Sequence, residues 1–388
     1  MLFVVPHVFA GGAEKALLNL AHQLNLMSLD VTIAALSSDL TQLHPNLSNL
    51  TYLVPPKPTN PANLGSIFEV TASSSKELLL LARLIKRHSS EFDVVCVGNF
   101  PSYWAVWLAR AKQPLVWFSS EVLAPYNQTK DLYNKSLLFR IALRFATTVD
   151  KCIVRRTFRS IVTCSPLNSR MIKSRYGLSS TVLPTGVDYE FFHQTISNPK
   201  AQLGIAEGVL LLHVGALVQR KNQILSIRAL KALKPHLGNV KLALVGEGPW
   251  LNALKAEAQR LGLAQDVVFF GGVAEEKLRL LYNACDVNLF PVKDQTWGLV
   301  PFEALAAGKP SVITRGAGAA EVIEQENIGF LIDANVEEIA ASVLFILSNP
   351  KLVADVVARG QLYIQKNLTW TKYAQDVFNV FKNLSPEA

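Results

Sequence analysis

Cysteine is scarce: 388 residues hold four, Cys96, Cys152, Cys164 and Cys285, and no two have C-x-x-C spacing. A zinc ribbon or a redox dithiol therefore has no local support. Scattered reduced thiols suit a cytosolic protein in which each serves as a small core residue. Long apolar runs are missing too. No window supplies the roughly 20 uninterrupted apolar residues of a spanning helix, although half the chain is apolar. The apolar start Met1–Ala10 is short, contains Pro6 and His7 and has no basic run ahead of it, so it reads as a buried first strand rather than a signal peptide. Neither the G-x-G-x-x-G dinucleotide fingerprint nor the G-x-x-x-x-G-K-[ST] phosphate loop is present. What is present excludes disorder: 50% of residues are apolar and only 18% charged. At about 150 residues per domain, the length predicts two or three domains.

Acidic residues run short in one half. Residues 1–200 carry 20 Lys/Arg against 12 Asp/Glu, whereas residues 201–388 carry 18 of each. The whole excess of +8 thus lies in the first half, and residues 130–175 alone hold 11 basic and 2 acidic side chains. Such a patch permits a nucleic acid, an anionic membrane surface or an acidic substrate.

Short, continuous, β-branched runs alternate with helical patterns, as in strands covered on both faces. In the first half the strands are expected at Leu2–Val5, Val31–Leu36, Thr51–Val54, Asp93–Val97, Leu115–Phe118 and Ile161–Cys164, with helices at Glu14–Leu26, Lys76–His88, Ser102–Ala111 and Asp131–Arg159. The second half repeats the scheme with strands at Val209–Val214, Val240–Val245, Val267–Phe270, Val287–Pro291 and Ser311–Thr314. This βαβ logic predicts an α/β protein of two doubly wound, Rossmann-like domains. The aperiodic stretch Pro184–Gly204 separates them, giving domains over 1–190 and 200–367 and a final helical segment over 368–388. Ligands of such open sheets sit beyond the carboxyl ends of the strands, here in a cleft between the domains.

Three segments after expected strands could carry chemistry. Gly11-Gly12-Ala13-Glu14 opens a helix, where glycines let backbone N–H groups approach an anion; a plain tight turn is the alternative. Arg220 and Lys221 end the run Gly215–Asn222 and suit phosphate oxygens, Arg as a fork and Lys as a point charge; a solvated basic turn is the alternative. The run Gln295–Pro310 contains Gly298, at which the chain can turn, and Glu303 inside an apolar helix. A carboxylate among Phe302, Ala304 and Leu305 needs a partner, either two sugar hydroxyls or neighbouring amides.

These residues resemble the GT-B glycosyltransferases of family 4, also called group 1. That family's second-domain motif is Glu, seven residues, Glu, with an aromatic-Gly pair near its start; here Gln295 and Glu303 occupy the two acidic positions and Trp297-Gly298 the pair. The resemblance runs through almost the whole chain in the family's order: Gly11–Glu14, the Ser165 region, Thr185–Asp188 with Phe191-Phe192, Val245–Pro249, Phe270–Val273, and Glu321 after Gly316–Gly318. It implies a GT-B fold with the last helix returning to the first domain. It also implies a retaining, metal-independent transfer from a UDP- or GDP-linked sugar to a glycan or lipid-linked acceptor. No cofactor is implied, the nucleotide sugar being a substrate, and no D-x-D metal motif occurs. By resemblance, Gly11 and Gly12 lie against the donor diphosphate and the acceptor. Arg220 and Lys221 meet the diphosphate, and Glu303 the ribose. Gln295 meets the sugar. Amides around Trp297, Gly298 and Leu299 hold sugar and phosphate, and the backbone at Val273 holds the base.

Three positions depart from the family pattern. Gln295 replaces the first Glu, Ala216 replaces an Arg, and Ser120, before Glu121 in Trp117–Glu121, replaces a His. Ser120 and Glu121 stand as catalytic candidates beside Lys221, Gln295 and Glu303. A GT-B sugar epimerase, for which Glu121 and Glu14 would supply acid–base groups, remains an alternative, as does a nucleotide-sugar-binding homologue of weakened activity. The basic residues Lys135, Arg140, Arg144, Lys151, Arg155, Arg156 and Arg159 alternate with apolar ones and suit an anionic bilayer. The expected location is therefore cytoplasmic, with a peripheral place on the inner face of the membrane. Nucleic acid is not an expected partner, because no helix-turn-helix, zinc-finger or RNP-like signature accompanies the charge.

Overall fold

The computed structural model describes residues 1–8, 12–38, 45–55, 67–120, 137–205, 207–293 and 295–384. The chain forms two units, one of Met1–Pro184 with Tyr373–Ala388, the other of Thr185–Lys372.

In the first unit, strands β1 (Leu2–Val4), β2 (Thr32–Ala34), β3 (Thr51–Leu53), β4 (Val95–Val97), β5 (Leu115–Ser119), β6 (Ser160–Thr163) and β7 (Thr181–Val182) alternate with helices α1 (Gly12–Leu26), α2 (Ile67–His88), α3 (Ser102–Ala109), α4 (Leu137–Thr157) and α5 (Pro166–Tyr176). The seven strands are all parallel, in the order β3-β2-β1-β4-β5-β6-β7. Leu2, Val4, Val95 and Val97 are fully buried against Leu81 and Ile85 of α2 and Val106 of α3, which is why these strands read as unbroken apolar runs. β7 was not expected from the sequence. It is a two-residue edge strand with Thr181 exposed and so carries no apolar run. Of the helix expected over Asp131–Arg159, residues 131–136 lie outside the described residues, and α4 ends at Thr157, two residues earlier than expected.

A buried carboxylate ties three helices together. Asp150 of α4 is 1% exposed. Its Oδ1 accepts from Tyr103 Oη at 2.9 Å and Trp104 Nε1 at 3.0 Å, and its Oδ2 from Tyr176 Oη at 2.8 Å and Arg175 Nη2 at 3.0 Å. Tyr103 and Tyr176 both press on Trp117 of β5, with ring centroids 4.9 Å and 5.7 Å away.

The second unit begins with two short helices, α6 (Tyr189–His193) and α7 (Pro199–Gln202), within the stretch that the sequence left aperiodic. Strands β8 (Val209–Val214), β9 (Val240–Val245), β10 (Val267–Gly271), β11 (Val287–Phe290), β12 (Ser311–Thr314) and β13 (Phe330–Ile332) follow. Between and after them run α8 (Gln223–Leu237), α9 (Leu251–Arg260), α10 (Glu275–Ala284), α11 (Val300–Ala306), α12 (Gly318–Glu326), α13 (Val336–Ser348) and α14 (Pro350–Asn367). The sheet is again parallel, in the order β10-β9-β8-β11-β12-β13. Its strand order reverses between β8 and β11, the position at which loops diverge and leave a crevice at the carboxyl edge. The last helix, α15 (Trp370–Lys382), starts in the second unit and joins the first from Tyr373 onward, where Phe381 meets Phe118 of β5 edge to face. The second unit takes in Thr185–Asp188, ahead of the aperiodic stretch's midpoint, because Val187 N donates to Leu368 O at 2.7 Å. Among the described residues no single helix is long and apolar enough to cross a membrane.

Candidate functional site

The two loops flanking the reversal in the second sheet meet at a small cationic cluster. The first leaves β8 at Gly215, whose N–H donates to Val245 O at 2.9 Å. The buried Gln223, at the head of α8, holds this loop by donating from Nε2 to Ala216 O at 2.9 Å. Asn222 anchors its far end on the other loop by donating to Pro291 O at 2.9 Å. Between these anchors Gln219–Lys221 form one tight helical turn that presents Arg220 and Lys221.

The second loop leaves β11 and carries Gln295. Lys221 Nζ donates to Gln295 Oε1 at 2.6 Å, and Arg220 Nη1 reaches the same oxygen at 3.4 Å. Lys221 Nζ also stands 5.9 Å from the Phe290 ring centroid. Arg220 therefore turns toward the group that Lys221 contacts. Gln295 is an uncharged carboxamide, so this contact orients the Lys221 ammonium without adding an opposite charge.

Glycine is obligatory in the turn that follows. Gly298 has φ +144°, and a Cβ there would fall 2.6 Å from Phe290 Cζ. Gly318 holds the loop from the other side by donating to Gln295 O at 2.7 Å, and its own Cβ would fall 1.8 Å from Thr296 O. Trp297 is buried and stacks on Phe302 at 5.0 Å; its indole N–H meets no acceptor among the described residues.

Glu303 lies on α11 and is 7% exposed. Tyr282 Oη donates to Glu303 Oε2 at 2.8 Å. The sequence reading missed Tyr282, a fully buried residue whose phenol is pushed well up by burial, then by the Glu303 charge. Tyr282 is braced in turn by Phe192 of α6, edge to face at 5.5 Å, and α6 is capped by Asp188, which accepts from Phe191 N at 3.1 Å. The Asp188 and Phe191-Phe192 motif thus acts as the footing of Glu303.

Beneath Lys221 lies His213 of β8, fully buried, with Nδ1 2.9 Å from Ser226 Oγ. Burial first, then the Lys221 charge, lowers its pKa to about 3, so it stays neutral at ordinary pH. Val273 follows β10 in the neighbouring loop, where Gly246 N donates to Gly271 O at 2.7 Å and Gly272 N to Glu247 Oε1 at 3.3 Å.

The first unit presents its own carboxyl edge. Gly12 opens α1 beyond β1, and Ser120 follows β5. Ser120 N donates to Asn99 Oδ1 at 3.1 Å, and Asn168 Nδ2 donates to Ser119 O. Ser165 caps α5, accepting from Asn168 N at 3.1 Å. Asn99 and Asn168 were not singled out from the sequence. Gly11 and Glu121 lie outside the described residues.

Residues 196–363 match the family described as Glycosyl transferases group 1, and residues 10–191 match Glycosyltransferase Family 4. A curated relative is the GDP-mannose-dependent alpha-(1-6)-phosphatidylinositol monomannoside mannosyltransferase of Mycolicibacterium smegmatis, 31% identical over 52% of this chain and 57% of its own length. The match spans little more than half the length of that relative. Among solved structures, Anabaena HepE in complex with UDP and glucose superposes with a TM-score of 0.79 at 21% identity, covering 99% of both chains. WaaG, a glycosyltransferase involved in lipopolysaccharide biosynthesis, gives 0.74 at 22% identity over 98% of this chain and 99% of its own.

Proposed function

We infer that this chain, which belongs to the GT-B glycosyltransferases of group 1 and family 4, moves a sugar from a nucleotide-sugar donor to a glycan or lipid-linked acceptor. The observation that carries the reading is the meeting of Lys221 and Gln295, from loops on either side of the strand-order reversal, 2.6 Å apart at the carboxyl edge of the second sheet. A preorganised cation at that edge suits a diphosphate.

In this reading the donor diphosphate lies against Lys221 and Arg220, and its base lies along the backbone at Val273. The ribose hydroxyls reach Glu303, whose Tyr282 partner fixes the carboxylate in one orientation. Gln295, pinned through Oε1, turns its amide toward the sugar, and the backbone at Trp297, Gly298 and Leu299 holds sugar and phosphate. When the bond from the anomeric carbon to the diphosphate breaks, its electrons pass to the diphosphate oxygen. Lys221 and Arg220 stabilise that developing charge, so no metal ion is needed. Retention at the anomeric carbon is part of the proposal. The acceptor side falls to the first unit, with Gly11, Gly12, Ser120 and Glu121. Support for the donor comes from the relative named for GDP-mannose and from HepE, solved with UDP and glucose; the relative named for phosphatidylinositol monomannoside supports a lipid-linked acceptor.

The test compares two truncations in a sugar-transfer assay. Toward the donor, Glu303→Ala removes charge-assisted bonds of about 1.5–3 kcal/mol each, whereas Gln295→Ala removes neutral bonds to the sugar nearer 1 kcal/mol. The expected fall in kcat/KM is about 10- to 100-fold for Glu303→Ala and about fivefold for Gln295→Ala. Equal losses contradict the roles given to the two side chains. Release of free sugar, or its epimerisation, without transfer to any acceptor contradicts the transferase reading itself.

A further inference from the structure

The opposite edge of the first unit's sheet carries a basic cavity. At the amino ends of β5, β6 and β7, a cavity of about 950 Å³ opens between the last turn of α3, the end of α4 and the end of α15. Arg110, Lys112, Arg156 and Arg159 line it, and none of its described lining residues is acidic. Among the described residues, none of the four pairs with a carboxylate. Arg155, which the sequence grouped with Arg156 and Arg159, is spent elsewhere: its Nε donates to Tyr176 O at 2.6 Å.

Exposed large apolar side chains accompany the cations, two at the cavity and two farther back along α4. Trp107 and Leu108 of α3 also line the cavity, yet remain 45% and 40% exposed. On α4, Ile141 and Phe145 are 55% and 71% exposed. At 3.6 residues per turn, Ile141, Phe145 and Arg156 fall within an arc of about 60°, so apolar and basic groups share one face of the helix. Guanidinium pairs recognise phosphate oxygens. An exposed indole beside them suits the level where lipid headgroups meet hydrocarbon.

We propose that this basic cavity seats the phosphate headgroup of an anionic phospholipid, with Trp107 and the Ile141–Phe145 face lying in the bilayer interface. The site is separate from the Lys221 cluster and independent of the transfer chemistry proposed above. Bound phosphate lies among Arg110, Lys112, Arg156 and Arg159, and no covalent step is involved.

The experiment is flotation of the full chain with phosphatidylglycerol–phosphatidylcholine vesicles and with phosphatidylcholine vesicles, in about 0.1 M salt, where the Debye length is about 10 Å. Binding is expected to the first and not the second. The pair Arg156→Gln with Arg159→Gln should weaken it about fivefold for each charge removed. The pair Arg83→Gln with Arg87→Gln, exposed on α2, removes the same charge away from the cavity and should change binding less than twofold. Trp107→Ala should weaken binding without changing its salt dependence. Unchanged melting temperatures verify folding, and unchanged stabilisation by UDP- or GDP-sugars keeps the result separate from the donor site. Equal weakening by the two Arg pairs, or no binding to anionic vesicles, overturns the proposal. So does cavity-dependent binding of inorganic phosphate with vesicle binding unaffected, since the site would then take free phosphate.

Discussion

Lys221→Ala should lower donor affinity and kcat together, with turnover falling on the order of 10²–10³-fold. Lys221 closes the tight turn after β8, held by Gln223 at one end and Asn222 at the other, so its ammonium is placed before any ligand arrives. Gln295 receives it at 2.6 Å without adding an opposite charge. A diphosphate leaving group gains negative charge as the bond to the sugar lengthens, so a fixed cation favours the transition state over the ground state. That difference is what raises kcat rather than only lowering KM. Arg220, which reaches Gln295 only at 3.4 Å, retains part of the field in the variant. Lys221→Arg should recover part of the rate, because the charge persists while the shape of the donor group changes. Steady-state kinetics with the donor varied decide the matter. A folded Lys221→Ala protein with both parameters unchanged would place the phosphate site elsewhere.

Asp150→Ala should destabilise the first unit by about 3–5 kcal/mol, the usual cost of breaking a buried ion pair from one side. Asp150 accepts four hydrogen bonds from α3 and α5. Its removal leaves the Arg175 guanidinium, itself largely buried, and two phenols without their acceptor. Asp150→Asn should cost less, since one oxygen and the side-chain volume remain. The urea midpoint of the first unit's transition reads the effect, and a loss below about 1 kcal/mol would show that the network contributes little. Burial chiefly, with the Asp150 charge added, pushes the Tyr103 and Tyr176 phenols upward. Groups raised in the fold are fully stabilising below the unfolded tyrosine value of about 10 and lose that contribution as pH rises above it. Alkaline unfolding should therefore steepen above about pH 10 in the wild type and less so in Asp150→Ala.

The strands were legible wherever both faces are covered. Val209–Val214 and Val240–Val245 have the bounds that their apolar runs predict. β7 and β13 were not legible, being short edge strands with partly exposed side chains. At the site, Lys221 stood out as a cation in the loop after a strand and Glu303 as a carboxylate in an apolar helix, whereas Gln295 stood out only through the family motif it occupies. Tyr282, Gln223, Asn99 and Asn168 did not. Tyr282, Asn99 and Asn168 act through hydrogen bonds to segments 21 or more residues away, and Gln223 through one to the loop before its own helix; each sits where an ordinary helix or turn residue would. Asp150 was hidden in the same way: in a basic segment it reads as one more solvated ion pair. Only the packing of Tyr103, Tyr176 and Trp117 around it makes it a core residue.

The central claim is that a nucleotide diphosphate sugar binds at the Lys221–Gln295 cluster, and thermal unfolding of wild type and Lys221→Ala with UDP-, GDP- and ADP-sugars tests it most directly. At about 100 times its dissociation constant, the cognate donor should stabilise the wild type by about 2.7 kcal/mol. At the same concentration Lys221→Ala should lose most of that gain. A wild type that no nucleotide sugar stabilises, or a gain of equal size in both proteins, would contradict the account.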